Sequence, residues 1–362
     1  NTDSQSSSEF EAELPILRQI SNTPIAGGVA FKKGEDTIIR YVDRGTGHIY
    51  ETNDRSLENK TVSNTTILKV PEAVWSSGGQ SVVMRYLNQD NNTILSFSAD
   101  ILKTASTSQD ISKNPKSAFL PSNIEQLSVN PSGDKIFYLI NNADGSVGAV
   151  SNIDGLQKRR IFQSPIKEWL ALWLSGDTIT LTTKPAYNAF GYLFYLNNKT
   201  GATSKIMSGI NGLTALVSSG TKDILYSESI EGSFKLKYRN VTNGEDKELS
   251  FKTLPEKCAW SRTEEFAAYC AIPKTISNGD YPDVWYQGLV SFTDSVWKID
   301  TKTGSSELVF DIQKETGNDI DIMNPFLSDG DEYLFFMNKK DLTFWSLALK
   351  KQLNAGSSVN IF

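Results

Sequence analysis

Apolar residues along this chain fall in short runs rich in Val, Ile, Leu, Tyr, Phe and Thr, and Gly, Asn, Asp and Ser cluster between them. Thr37–Val42, Ser81–Leu87, Lys135–Ile140, Thr178–Thr182, Lys222–Tyr226 and Glu332–Met337 are such runs. No long stretch repeats apolar residues at i, i+3, i+4 and i+7, so the pattern predicts strands and almost no helix. The separators read as hairpin turns: Gly78-Gly79, Pro131-Ser132-Gly133-Asp134, Ser175-Gly176-Asp177, Asn243-Gly244 and Ser328-Asp329-Gly330-Asp331. Glycine reaches positive φ without a steric cost, and Asn and Asp tolerate it.

The strands group into a longer unit. Residues 124–163 hold one copy: an inner strand Ile124–Val129, a turn, a second strand Lys135–Asn141, a third Ser146–Ile153 and an outer Arg159–Gln163. Inner strands are expected to begin near Ile25, Ala73, Ile124, Ile166, Gly212, Glu256 and Ile320. The spacing is roughly 42 to 51 residues with one unit of roughly 64, the period of a four-stranded propeller blade. The predicted fold is therefore an all-β propeller of about seven blades, with six or eight as the alternatives. The last unit lacks an outer strand, whereas Leu14–Ile20 is a strand without a unit. Pairing it with Leu342–Leu349 would close the ring and leave no open sheet edge. One propeller domain is thus expected over residues 14–349, between a polar tail at 1–13 and another at 350–362, with blade two's outer strand blurred by the polar stretch Thr104–Lys116.

The hairpin Leu127-Ser128-Val129-Asn130-Pro131-Ser132-Gly133-Asp134-Lys135-Ile136-Phe137-Tyr138 resembles the Ser-Pro-Asp-Gly turn of WD-repeat-like propellers, a turn typical of the Tol-type periplasmic family. Val296-Trp297-Lys298-Ile299-Asp300, Thr303-Gly304 and Cys258-Ala259-Trp260-Ser261 are similar to further motifs of that family. The likeness covers most of the chain by period and two or three blades at motif strength. Blade four, with Leu174-Ser175-Gly176-Asp177, and blade one depart from it. The chain also resembles uncharacterised propellers of candidate-phylum bacteria. The resemblance implies a fold and brings no shared catalytic residues with it.

Composition narrows the function. The 362 residues carry a formal net charge of −6, and Lys and Arg form no stripe, which argues against nucleic acid as a partner. No apolar run reaches the roughly 18 residues that span a bilayer. The polar, Ser-rich start from Asn1 to Glu13 is what removal of a signal peptide or membrane anchor leaves behind, and it predicts an extracytoplasmic protein, periplasmic or on the cell surface. An arbitrary start to the chain would look the same.

His48 is the single histidine and, on a strand, reads as structural; a Ser-His-Asp triad, a multi-histidine metal site or a histidine-rich centre is not expected. No phosphate loop or dinucleotide fingerprint occurs, and no cofactor is expected. The Asn/Asp-rich turns Asn88–Asn92 and Asn141–Gly145 lack the full alternating ligand loop for Ca²⁺ and read as ordinary turns. Cys258 and Cys270 fall opposite one another across a hairpin, close enough for a disulfide; two buried thiols are the alternative.

The long unit carries an insertion at residues 274–293, rich in aromatic and acidic residues, and insertions in repeat folds commonly hold function. Tyr281, Asp283, Trp285 and Tyr286 are its candidate binding residues, for a partner protein or an envelope polymer. Equally, Trp285 and Tyr286 could pin the loop to the propeller face. The opposing reading is a carboxylate-dependent glycan hydrolase or lyase at the channel mouth, drawing on Asp280, Asp283, Asp319 or Asp321. Two carboxylates across an open pocket would favour the enzyme. A channel filled by side chains, with exposed aromatics on one face, would favour binding.

Overall fold

Alternating burial along the strands accounts for the architecture. Asp223–Ile230 and Ser233–Asn240, for example, bury Leu225, Leu236 and Tyr238 toward one neighbouring sheet and Ile224 and Tyr226 toward the other. A strand buried on both faces needs a packed sheet on each side, and repetition around a ring supplies it. The structure, a computed structural model, describes residues 14–88, 90, 92–101 and 117–349; both predicted tails and all of Thr104–Lys116 lie outside the described residues.

Seven four-stranded antiparallel sheets form the ring, the seven-bladed propeller predicted. Inner strands begin at Ile25, Glu72, Ile124, Trp169, Thr214, Cys258 and Ile322. Blades four to seven start two or three residues later than expected, and in blades four, five and six a connector feature intervenes. Ile166 is exposed, Gly212 has φ +56°, and Pro255–Lys257 forms a 3-10 turn. In six blades the strands run in chain order from the axis outward. In the seventh, Ile322–Leu327, Tyr333–Asn338 and Phe344–Ala348 are completed by Leu17–Gln19. The register is Leu17↔Leu347, Arg18↔Ser346 and Gln19↔Trp345, the closure read from the sequence. Arg18 fastens this strand to blade one, donating to Asn53 O at 2.8 Å and Thr52 Oγ1 at 3.0 Å.

The core is a set of clusters between adjacent blades; Phe137, Trp169, Trp173 and Leu181 make the one between blades three and four. Blades one and two meet closely at the axis. A Cβ on Gly27 would lie 2.1 Å from Ala73 O, so only glycine lets the first two inner strands approach this closely. Up-and-down strands put the turns joining strands one to two and three to four on one face. The other face carries the loops joining strands two to three and the links between blades, and the insertion lies there. Among the described residues no helix is long and apolar enough to cross a membrane.

Candidate functional site

The insertion leaves blade six after Ala267–Pro273 and returns at Asp294–Asp300. Its aromatics face inward and decide its path. Tyr281 is fully buried, with its ring 5.0 Å from Phe234 of blade five and stacked 6.0 Å from Phe292. Trp285, on the single helical turn Asp283–Tyr286, is 4% exposed and stacks on the other side of Phe292. Polar groups complete the attachment. Ser229 Oγ donates to Tyr281 O at 2.5 Å, and Gly279 N donates to Gly232 O at 3.1 Å, both on blade five. Asp283 Oδ2 accepts from the backbone N–H of Tyr187, on blade four, at 2.5 Å. Asp321, leading into blade seven, accepts from Trp285 Nε1 at 3.0 Å and Phe292 N at 3.0 Å. One loop thereby ties blades four, five, six and seven.

Of the four predicted contact residues, the structure puts Tyr281 and Trp285 inside and leaves two at the surface. Their large apolar area is the reason: burial of a whole aromatic side chain is worth more than its exposure. Asp283 is half-buried. Tyr286 is 37% exposed, and its hydroxyl donates to Glu256 Oε1. Burial, then the adjacent Glu256, pushes the Tyr286 hydroxyl pKa up; burial likewise pushes Glu256 up. Leu289, next to the helical turn, is 71% exposed, and Phe190, near Tyr187 on blade four, is 63% exposed. Neither residue was singled out from the sequence: Phe190 opens the apolar strand Phe190–Asn197 and Leu289 lies among the apolar and aromatic residues of the insertion, where composition does not separate exposed side chains from buried ones.

Beneath the insertion lies a charged cluster that sequence spacing did not reveal. Lys257 Nζ lies 2.7 Å from Asp294 Oδ2 and 2.5 Å from Asp321 Oδ1, and donates to Ile322 O at 2.7 Å. All three side chains have no exposed surface. The ammonium also sits 5.2 Å from the Trp285 and Phe292 ring centres. Burial raises the Asp294 pKa to about 6, against the opposing pull of Lys257. Its Oδ1 is buried without a partner.

The other acidic candidates are dispersed. Asp280 is exposed. Asp319 pairs with Lys340 at 2.6 Å and accepts from Thr293. His48 Nε2 faces Thr66 Oγ1 at 3.0 Å. In the Asn-rich turns, Asn88 Oδ1 and Asn142 Oδ1 accept from nearby backbone N–H groups, as turn chemistry requires. Cys258 and Cys270 are directly opposed and joined as a disulfide, with Cα atoms 4.0 Å apart.

The channel is not filled. A cavity of about 1150 Å³ runs along the inner strands and opens on the face opposite the insertion. Phe31, Val74, Leu172 and Phe326 line it, together with charged groups most of which are paired. Glu72 bonds Arg85, Asp329 bonds Arg262, and Arg40 bonds Glu51 at 2.7 Å.

This geometry defines the class of protein: a seven-bladed β-propeller with one blade-spanning insertion. No protein-family model matches the chain, and no curated protein matches it significantly. Solved structures share the fold. An oligogalacturonate lyase in complex with manganese is 9% identical with a TM-score of 0.61, over 92% of this chain and 93% of the lyase. The propeller domain of the trilobed protease of Pyrococcus furiosus, with an open velcro topology, is 12% identical with a TM-score of 0.54, over 92% of this chain and 100% of that domain. TolB of Acinetobacter baumannii is 10% identical with a TM-score of 0.47, over 90% of this chain; the chain spans 64% of TolB. At these identities the likeness concerns the fold alone.

Proposed function

We propose that this protein is a non-enzymatic binding scaffold outside the cytoplasm, whose insertion face contacts a partner protein or envelope polymer. The observation that carries the reading is the state of the insertion. Its interior aromatics and polar bonds fix it across four blades, while Tyr286 and Leu289 remain exposed on it and Phe190 beside it. A rigid surface with exposed aromatic and aliphatic groups binds at a reduced ordering cost. Tyr281 and Trp285 then serve as its support, and Asp283 and Tyr286 as its accessible members. Three of the four acids considered for a hydrolase or lyase are engaged elsewhere, Asp321 with Lys257, Asp319 with Lys340 and Asp283 with Tyr187, and the fourth, Asp280, is exposed. The open channel is the one feature in favour of the enzyme reading, and its acids, Glu72 and Asp329, are held by arginines. The disulfide fits an oxidising compartment.

The test is capture from a native envelope fraction by wild type and by a Tyr286→Ala, Leu289→Asp double variant. Both sites are on the surface, so the variant is expected to fold and to lose most of the captured partner. Equal capture by the two proteins removes the insertion face from the account.

A further inference from the structure

We infer that Lys257 and Asp321 are joined by a self-formed isopeptide bond, with Asp294 carrying the proton. Four observations converge on this cluster. Nζ of Lys257 touches oxygens of both carboxylates, at 2.5 and 2.7 Å, with all three side chains removed from solvent. The walls are aromatic, from Trp285 and Phe292. The far oxygen of Asp321, Oδ2, is held by two N–H donors, Trp285 Nε1 and Phe292 N, each at 3.0 Å. The free oxygen of Asp294, Oδ1, has no partner.

A buried ammonium between two carboxylates is a poor end state. Desolvation of ions costs several kcal/mol per ion, and with Asp294 ionised the cluster has a negative charge to spare. Condensation removes the charges of Lys257 and Asp321 together. The arrangement also meets the kinetic requirements. The reacting groups are held in contact, so the loss of freedom has already been met by folding. The two donors on Oδ2 are placed where negative charge develops when an amine attacks the carboxyl carbon. Asp294 reaches Nζ directly, and burial lifts its pKa toward neutrality, where a carboxyl group both accepts and returns protons.

The step balances without a co-reactant. Nζ of Lys257 bonds to Cγ of Asp321, and the Cγ–Oδ1 bond breaks. Of the three protons on the ammonium, one stays on the new amide nitrogen, where Ile322 O can accept it. The other two leave with Oδ1 as water, one of them passed through Asp294. Asp294 ends as it began. The bond would fasten the start of blade six to the start of blade seven, one residue from the Cys258–Cys270 disulfide. The inference stands independently of what the insertion face binds.

Mass spectrometry of the intact, reduced protein decides it. The expected mass is lower than the sequence by one water. Tryptic digestion should then give residues 253–262, uncleaved after Lys257, joined to residues 315–339. A full sequence mass, with ordinary cleavage after Lys257, overturns the proposal. Lys257→Met should carry the full mass; a deficit that persists there belongs to another site and overturns it as well. Asp294→Asn, with its fold checked by circular dichroism, should stay uncondensed. Condensation at the wild-type extent in that variant overturns the proton-carrying role of Asp294.

Discussion

Single residues hold neighbouring blades together at points where no strand pairing reaches. Asp331, at the first turn of blade seven, is the clearest case. It is 1% exposed, and its carboxylate accepts from Ser261 Oγ at 2.5 Å, Thr263 Oγ1 at 2.7 Å and the backbone N–H groups of Arg262 and Thr263 at 3.1 Å, all in blade six. Burial alone would raise its pKa, but the bonds from Ser261 and Thr263 outweigh it and hold the carboxyl below the usual range. The folded value lies below the unfolded one. Its contribution is therefore present above the unfolded Asp value of about 3.9 and is lost as pH falls through the depressed folded value. Asp331→Ala should cost about 2–3 kcal/mol at neutral pH, because four donors lose their acceptor. Denaturant titration of both proteins checks this, and the gap between them should narrow at strongly acidic pH. Trp285→Ala is expected to cost about 3–5 kcal/mol and to free the insertion to proteolysis, since it removes both a buried ring and a donor to Asp321. Cleavage within residues 274–293 at the wild-type rate would show that other contacts hold the loop.

At the scale of strands and loops, the sequence was most readable where chemistry is local. Period, turn glycines and the facing cysteines all act within a few residues, and they located the blades and the disulfide. The Cys258–Cys270 bridge closes a short loop, so replacing both cysteines with alanine should cost only about 2–3 kcal/mol. Thermal unfolding with and without reductant measures it; an effect far larger would mean that the bridge holds more than its own hairpin. The insertion was legible as an anomaly in the period, and its composition was not enough to say which way its rings face. Aromatic residues serve a core and an interface alike. Tyr281 and Trp285 are sorted from Tyr286 only by packing against Phe234 and Phe292, contacts made across blades. Lys257, Asp294 and Asp321 were beyond reach for the same reason. Lys257 sits in a Pro-Glu-Lys turn that reads as surface; Asp294, in the third strand of the same blade, and Asp321, just before the first strand of the next, are far along the chain and come together only through the packing of blades six and seven.

The whole molecule depends on that closure. Leu17–Gln19 is the outer strand of the last blade, and Arg18 extends the tie to blade one. Removing residues 1–21 should collapse solubility and thermal stability by exposing the edge of Phe344–Ala348. A truncated protein that unfolds like its parent would refute the closure. The central claim concerns the surface that this closed ring presents: that binding takes place on the insertion face and is carried by a fixed platform. Hydrogen–deuterium exchange, with and without the material captured from the envelope, tests it most directly. The account predicts new protection concentrated in residues 278–292 and 186–191, on one face, with little change elsewhere. Protection confined instead to the channel wall, residues 26–33 and 72–78, would contradict it.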